Sequence, residues 1–493
     1  MLLIKDCEIL NCNDNNSWTT VKGDIVVENG QILHVGDVPG NPTAQKIIDG
    51  RGKVAMPGLI NAHTHSYANI LRAKGENYPL EMWMYYAFLA GLLDEEDVYI
   101  SAMLGNIEMI RSGVTSCIDH LSCDRDGLEA ALKAYVNSGM RVTMSPMVSD
   151  KVYHETIPVD DGDIPEEIVR EMIRKEPKTA DYLMDLCIEL IEKWHNSNNG
   201  RISIFPGPSG PQRCSEKLLV GLAGIAGKYD LGIHTHLVET KVQAITAHRF
   251  YGCTMAEYLD NLGILNNRWS MAHSVWVSDS DIELLADRGV KVSHNPASNL
   301  TIGSGISPVN KFVDAGVKVA LGTDGSNCSG SQNMFRIMSL AAMLTKITTP
   351  DFEDWRKAGE ILAMATKGGA QALLMEAELG ALEPGRKADI VLLDSDSPSL
   401  APRIDLIYQL VYAETGSAVD TVIIDGDVVM EGRQIKTFNE EEILKEAHER
   451  FSRFEEKMLP AVSEFQRYMP YIERIYRREI GSSVGFHRTG AWE

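Results

Sequence analysis

Histidine is scarce in this chain and unevenly placed. Of 13 His, seven fall in short apolar runs that read as strands: His63, His65, His120, His234, His236, His273 and His294. Imidazoles gathered in this way offer metal ligands and groups that titrate near neutral pH. His63 and His65 form H-x-H in LINAHTH. Residues i and i+2 of a strand share a face, so both rings can reach one ion. His236 in HTHLVET and Asp324 in LGTDG complete a set of three imidazoles and one carboxylate. That set suits Zn²⁺ or a similar divalent ion and leaves a position for water. His234 shares the parity of His236 and is the rival ligand. Glu239 follows His236 by three residues, where a carboxylate can shuttle protons beside an activated water. His273 in MAHSVW stands where it can orient that water or polarise a substrate.

These residues need elements to position them. Eight apolar runs alternate with helical segments: 59–65, 114–120, 141–147, 202–208, 232–238, 270–276, 291–296 and 319–325. Eight βα units in succession predict a (β/α)₈ TIM-type barrel of class α/β. An open doubly wound sheet would normally carry a Gly-rich phosphate loop, and none is found. Several of the histidines stand near the C-terminal ends of their strands, the end at which barrel active sites are built. Residues 2–55 show the alternation of short strands, and the same texture returns at 388–394 and 421–432, where Gly-Asp marks a turn. The expected organisation is a small discontinuous β-sandwich domain from 1–56 and 386–436, a barrel over 57–385, and a C-terminal helical extension over 437–493. Pro460 and Pro470 are expected to break that extension into pieces. Ser215 is the expected N-cap of the helix over 215–229, with Gly227 near its end.

Length and charge bound the partners. With 493 residues, the chain holds one large domain and a smaller one. Lys and Arg number 47 against 69 Asp and Glu, a net charge of −22. Such a chain repels phosphate backbones and anionic membranes, which argues against nucleic-acid or membrane partners and leaves a small molecule. The eight Cys show no C-x-x-C spacing, so neither a disulfide framework nor a Cys-rich zinc module is expected. The N-terminal MLLIKDCEIL lacks the features of a signal peptide, and the expected location is the cytoplasm.

The segments MPGLINAHTHSYANILR, HTHLVET, MAHSVW, SHNPASNL and LGTDGS, in this order, resemble the amidohydrolase superfamily. More narrowly they resemble its metal-dependent deaminase and chlorohydrolase branch. The resemblance covers about residues 2–435, including GALEPGRKADIVLLD. It implies one divalent ion, Zn foremost with Fe as the alternative, held by His63, His65, His236 and Asp324. It implies Glu239 as proton shuttle and His273 as the orienting group, with Asp324 also accepting the proton of the water. The binuclear branch carries a carboxylated Lys on the fourth strand; ISIFPGP has none, which favours a mononuclear site. The implied reaction is hydrolytic deamination of an amino-substituted nitrogen heterocycle (purine, pterin, pyrimidine, triazine or a related nucleoside). Metal-bound hydroxide attacks and ammonia leaves. The alternatives are the same superfamily with chloride or alkylamine as leaving group, or a cyclic-amide ring opener. Relatives of this branch are often homo-oligomers.

Substrate choice falls to the loops. Trp83, Tyr85, Tyr86 and Phe88 follow the first strand, and Trp83 is the expected lid residue over a flat ring. Ser209 stands where nucleoside-acting relatives commonly carry His, which argues against an adenosine-type substrate. Gln212 can read a ring amide edge, since its side chain both donates and accepts. His294, Ser298 and Asn299 follow the seventh strand, and His294 and Asn299 complete the expected substrate-binding set.

Overall fold

The computed structural model describes residues 1–13, 17–38, 44–72, 75–173 and 177–489. All eight sequence-predicted apolar runs form strand. Leu59–Thr64, Val114–Leu121 and Arg141–Val148 pair in parallel, and the last also pairs with Ile202–Ile204 and Gly207–Pro208. Ile233–Leu237, Trp269–His273, Lys291–His294 and Lys318–Leu321 form a second parallel set. Backbone bonds join the two sets on both sides: His234 N–H donates to the Pro206 carbonyl at 3.3 Å, and Asp324 N–H donates to the His63 carbonyl at 2.8 Å. Leu59–Thr64 and Val114–Leu121 are buried along their whole length, and Arg141–Val148 at all but Met147, as expected of parallel strands covered by helices.

Helices separate the strands, and their caps are visible in the sequence. Glu95–Arg111 begins with a capping box between Asp94 and Asp97. Glu216–Tyr229 begins at Ser215, whose hydroxyl accepts the Leu218 N–H. That helix runs past Gly227 and ends at Asp230, which takes the left-handed conformation at φ 60°.

Both ends of the chain meet in one nine-stranded sheet. Leu2–Cys12, Trp18–Glu28, Gln31–Gly36, Lys46–Asp49 and Lys53–Pro57 join Ile390–Asp394, Val419–Ile424, Asp427–Glu431 and Gln434–Ile435. The Asp425-Gly426 turn has φ 53° and 81°, the paired left-handed residues of a tight hairpin. Arg141 ties this sheet to the parallel strands. Its buried guanidinium lies 3.1 Å from Asp389 and 3.5 Å from Asp425.

The tail departs from expectation. Glu440–Ile480 is one helix of 41 residues with both Pro460 and Pro470 inside it. Each proline removes a backbone donor, at a cost of about 3 kcal/mol in a helix interior. The apolar stripe nevertheless continues through Phe454, Met458, Ala461, Phe465, Tyr468, Ile472 and Ile475, all buried. Burying one large apolar side chain is worth about 1.5–3 kcal/mol, so packing across the prolines outweighs their cost. Both prolines sit on the exposed face. The helix lies over Leu80–Ala87, where Tyr85 meets Phe465 and Tyr468. No helix among the described residues is long and apolar enough to cross a membrane, and all eight cysteines are free.

Candidate active site

The strand ends bring His63, His65, His236, His273, Glu239 and Asp324 together, each no more than slightly exposed. His63 and His65 close Leu59–Thr64 and its first following residue, and their ring centroids lie 4.7 Å apart. His65 Nε2 is 3.2 Å from Asp324 Oδ1 and 3.3 Å from His236 Nε2. His63 Nε2 is 3.6 Å from Asp324 Oδ1 and has no hydrogen-bond partner. His273 Nε2 lies 3.7 Å from Asp324 Oδ2, and its Nδ1 lies 3.6 Å from Glu239 Oε1. His273 and Asp324 leave their strands with φ of 69° and 63°. This left-handed turn costs a non-glycine residue roughly 1–2 kcal/mol and is met at functional sites.

The other ring nitrogens are held from behind. His65 Nδ1 donates to the His120 carbonyl in a short hydrogen bond, and His236 Nδ1 donates to the Ser209 carbonyl at 2.5 Å. A carbonyl only accepts, so Nδ1 carries a proton and Nε2 of each ring faces inward, the nitrogen left to meet a metal. His63 Nδ1 lies 2.8 Å from His234 Nε2, and His234 Nδ1 lies 3.1 Å from the Ser270 hydroxyl. Both nitrogens of His234 are therefore engaged behind His63, while His236 Nε2 joins the inner group. Two of the three compact ligand sets share His63: His63–His65–Asp324 and His63–His236–His273. Converging Nε2 atoms, a carboxylate between them and the orphaned Nε2 of His63 fit a divalent cation of the zinc type.

Supports fix the carboxylates too. Gln332 donates to the Asp324 carbonyl at 2.9 Å, and Asn61 accepts the Thr323 N–H at 2.9 Å. Glu239 N–H donates to Gln243 Oε1 at 2.7 Å. Asp119 accepts the Ser66 N–H at 2.9 Å and the Tyr135 hydroxyl at 3.0 Å, so it anchors the turn that follows His65.

The environment pushes the two central carboxylates apart. Burial raises the Glu239 carboxyl, and Asp324 adds repulsion, partly offset by His273. Burial acts the same way on Asp324, but His63, His65 and His273 beside it overcome that effect and hold it well below the usual range. Burial lowers His63 to about 3 and depresses His234 and His236 strongly. Neutral imidazoles result, the form that ligates metal.

The expected substrate residues divide by position. Trp83 and Gln212 line the cavity beside His65, His236, Glu239, His273 and Asp324. Tyr85, Tyr86 and Phe88 pack elsewhere: on the C-terminal helix, on Tyr78 and on Tyr153. Ser209, His294 and Asn299 stand behind the lining. Ser209 gives its carbonyl to His236. Asn299 Oδ1 accepts from His273 Nδ1 at 2.8 Å. Ser298 bonds the Asn295 carbonyl at 3.2 Å. His294 is buried with neither ring nitrogen partnered, and burial lowers it to about 3.

Sequence reasoning did not single out Glu81 or Arg213. Glu81 is 3% exposed on the helix Leu80–Ala87 and accepts the Thr240 hydroxyl at 2.5 Å, while its Oε2 has no partner. Burial raises it to about 7. Thr240 is also the N-cap of Lys241–Tyr251. It thereby links the helix Leu80–Ala87 to the residue beside Glu239. Arg213 lines the cavity. Both read in the sequence as surface charges; their neighbours Trp83 and Gln212 were the available signal.

A model of the amidohydrolase family matches residues 54–429. The chain belongs to that family. A 5-methylthioadenosine/S-adenosylhomocysteine deaminase of Desulforudis audaxviator is 35% identical over 431 residues, which cover 86% of this amidohydrolase and 93% of that protein. A 5'-deoxyadenosine deaminase of Methanothermobacter thermautotrophicus is 35% identical over 432 residues, with the same coverage of 86% and 93%. Among solved structures, an adenosine deaminase from Xanthomonas campestris with bound zinc is similar to this amidohydrolase at a TM-score of 0.82 and 25% identity. That match covers 92% of this chain and 98% of the other.

Proposed function

We propose that this amidohydrolase deaminates an amino-substituted nitrogen heterocycle by hydrolysis, with one divalent ion held by His63, His65, His236 and Asp324. The observation that carries the reading is that His63 Nε2 and His65 Nε2 lie 3.6 and 3.2 Å from Asp324 Oδ1, with His236 Nε2 3.3 Å from His65 Nε2 and Glu239 beside them. Zinc is the preferred ion, supported by the donor set and by the zinc in the adenosine deaminase it resembles. An ion bound there would serve as a Lewis acid that lowers the pKa of water.

The chain's own residues own the protons. Glu239, whose carboxyl burial raises, is the group that delivers a proton to a ring nitrogen. That makes the adjacent carbon electrophilic. Asp324 stays ionised and takes the proton released by the attacking water. Two carboxylates with pKa values driven in opposite directions divide acid and base work between them. His273 steers the attack, and Asn299 fixes its ring. Ser209 and His234 hold His236 and His63 from behind. Trp83 and Gln212 face the substrate ring.

The eight parallel strands are read as one (β/α)₈ barrel over 57–385, flanked by a small β-sandwich from 1–56 and 386–436. The bonds that join the two parallel sets support that closure. The two relatives named above carry adenosine derivatives in their names, which puts purines first on the substrate panel. Glu239→Gln tests the reading. The variant keeps its metal by elemental analysis and loses turnover by about two orders of magnitude or more. Turnover equal to wild type would remove the proton shuttle.

A further inference from the structure

One wall of the cavity comes from residues 207–215, GPSGPQRCS. Pro211–Arg213 is a short 3₁₀ turn that faces the cavity with both Gln212 and Arg213. The turn is firmly held. Arg213 N–H donates to the Gly210 carbonyl at 3.0 Å, and the Arg213 carbonyl accepts the Ser149 hydroxyl at 2.7 Å. Lys151 Nζ bonds the Gln212 carbonyl at 3.4 Å.

The side chains on this wall are poorly used within the protein. The Arg213 guanidinium donates once, to the Ser209 hydroxyl at 3.4 Å, and lies 5.9 Å from the Tyr153 ring. Among the described residues it forms no ion pair within 4.0 Å, although a guanidinium carries five donors. The Gln212 side-chain amide makes no hydrogen bond among the described residues, and the residue is 4% exposed. Other buried arginines here are matched by carboxylates: Arg141 by Asp389, Arg201 by Asp427, and Arg450 by Asp97. A part-buried cation with spare donors, beside an uncommitted amide, is a costly arrangement unless a ligand completes it.

We infer that Gln212 and Arg213 form a donor subsite for an acceptor oxygen on the substrate, either a ring oxo group or a carboxylate. The inference rests on the deaminase reading and deepens it by naming the substrate class. The planar fork of Arg213 suits a carboxylate in two-point contact or an oxo group in single contact. Gln212 beside it can match the ring amide edge that accompanies an oxo group. An adenine ring without such an oxygen leaves the guanidinium unpaired in the closed site.

Binding to the zinc-loaded Glu239→Gln protein tests this without turnover. Calorimetry compares cytosine, guanine and pterin, which carry a ring oxo group, with S-adenosylhomocysteine, which carries a carboxylate. Adenine and 5-methylthioadenosine carry neither. The tightest ligand should come from one of the first two classes, and which class it is identifies the source of the oxygen. Adding Arg213→Met should weaken that ligand by roughly ten- to hundredfold, as loss of a hydrogen bond to a charged group does. It should leave adenine and 5-methylthioadenosine within about threefold of their starting affinity. Gln212→Leu, read in the same way, serves if Arg213→Met does not fold. Equal weakening of all classes, or tightest binding by an oxygen-free ring, would overturn the subsite. So would failure of every oxygen-bearing ligand to bind. Ammonia release by wild type separates the two claims. Release confined to oxygen-free rings keeps the deaminase and removes the subsite; selective binding without release from any ring does the reverse.

Discussion

Replacing Glu81 by Gln is expected to stabilise the protein in a pH-dependent manner. The carboxyl is buried between the helix Leu80–Ala87 and the N-cap of Lys241–Tyr251, and burial raises its pKa from 4.5 to about 7. The Thr240 hydroxyl and Arg213 pull the other way, and Glu239 adds repulsion. In the unfolded chain the group titrates near 4.5, so between that value and about 7 the folded state holds a proton the unfolded state has lost. Its contribution is therefore fully present below about pH 4.5 and is lost as pH rises through about 7. At about 1.36 kcal/mol per unit, the whole span is worth about 3 kcal/mol, and the part between about pH 5 and about pH 8 is roughly 2.5. Gln cannot ionise, and its side-chain oxygen still accepts the Thr240 hydroxyl. The stability of the variant relative to wild type should thus grow by roughly 2.5 kcal/mol from about pH 5 to about pH 8. An unfolding entropy of about 2.1 cal/mol/K per residue gives about 1 kcal/mol/K for the whole chain, so the relative Tm should move up by about 2–3 °C. Scanning calorimetry of both proteins across this range reads the difference. Parallel curves, or a difference that shrinks as pH rises, would refute the buried, raised carboxyl.

Two further substitutions probe the supports. Asn299→Ala removes the acceptor of His273 Nδ1 and should lower kcat by roughly tenfold to a hundredfold with little change in KM, the signature of a group that acts in the transition state. A rise in KM alone would place Asn299 against the substrate instead. His234→Phe should weaken zinc affinity by about 10–100-fold in a chelator competition, as loss of a support behind a ligand does. An unchanged affinity would mean that His63 is held without it.

Much of the site was legible because its signal is local. H-x-H on a strand puts two rings on one face whatever the rest of the fold does. The eight apolar runs carried enough alternation with helices to predict the strands that hold His236 and His273 and the one that leads to Asp324. His234 and His236 could not be separated by parity, since residues two apart share a face. Only the partners of their nitrogens distinguish them. The bond of Asn299 to His273 joins loops 26 residues apart, and no local pattern announces it. Glu81 and Arg213 were missed since charge alone indicates exposure, and their burial arises from the helix Leu80–Ala87, the C-terminal helix and the 207–215 loop together. The prolines of the tail misled for a related reason. Local propensity opposes a continuous helix there, and the apolar stripe that overrides it takes effect only against Tyr85 and its neighbours.

The central claim is that this site releases ammonia from an amino-heterocycle with the help of a bound divalent ion. Ammonia release from a panel of guanine, adenosine and its thioether analogues, cytosine, aminopterins and triazines, with zinc quantified in the same sample, tests it most directly. The account predicts release from one class of ring, abolished by chelation and restored by zinc. A fully zinc-loaded protein that releases no ammonia across the panel, yet liberates chloride or opens a cyclic amide, would contradict it.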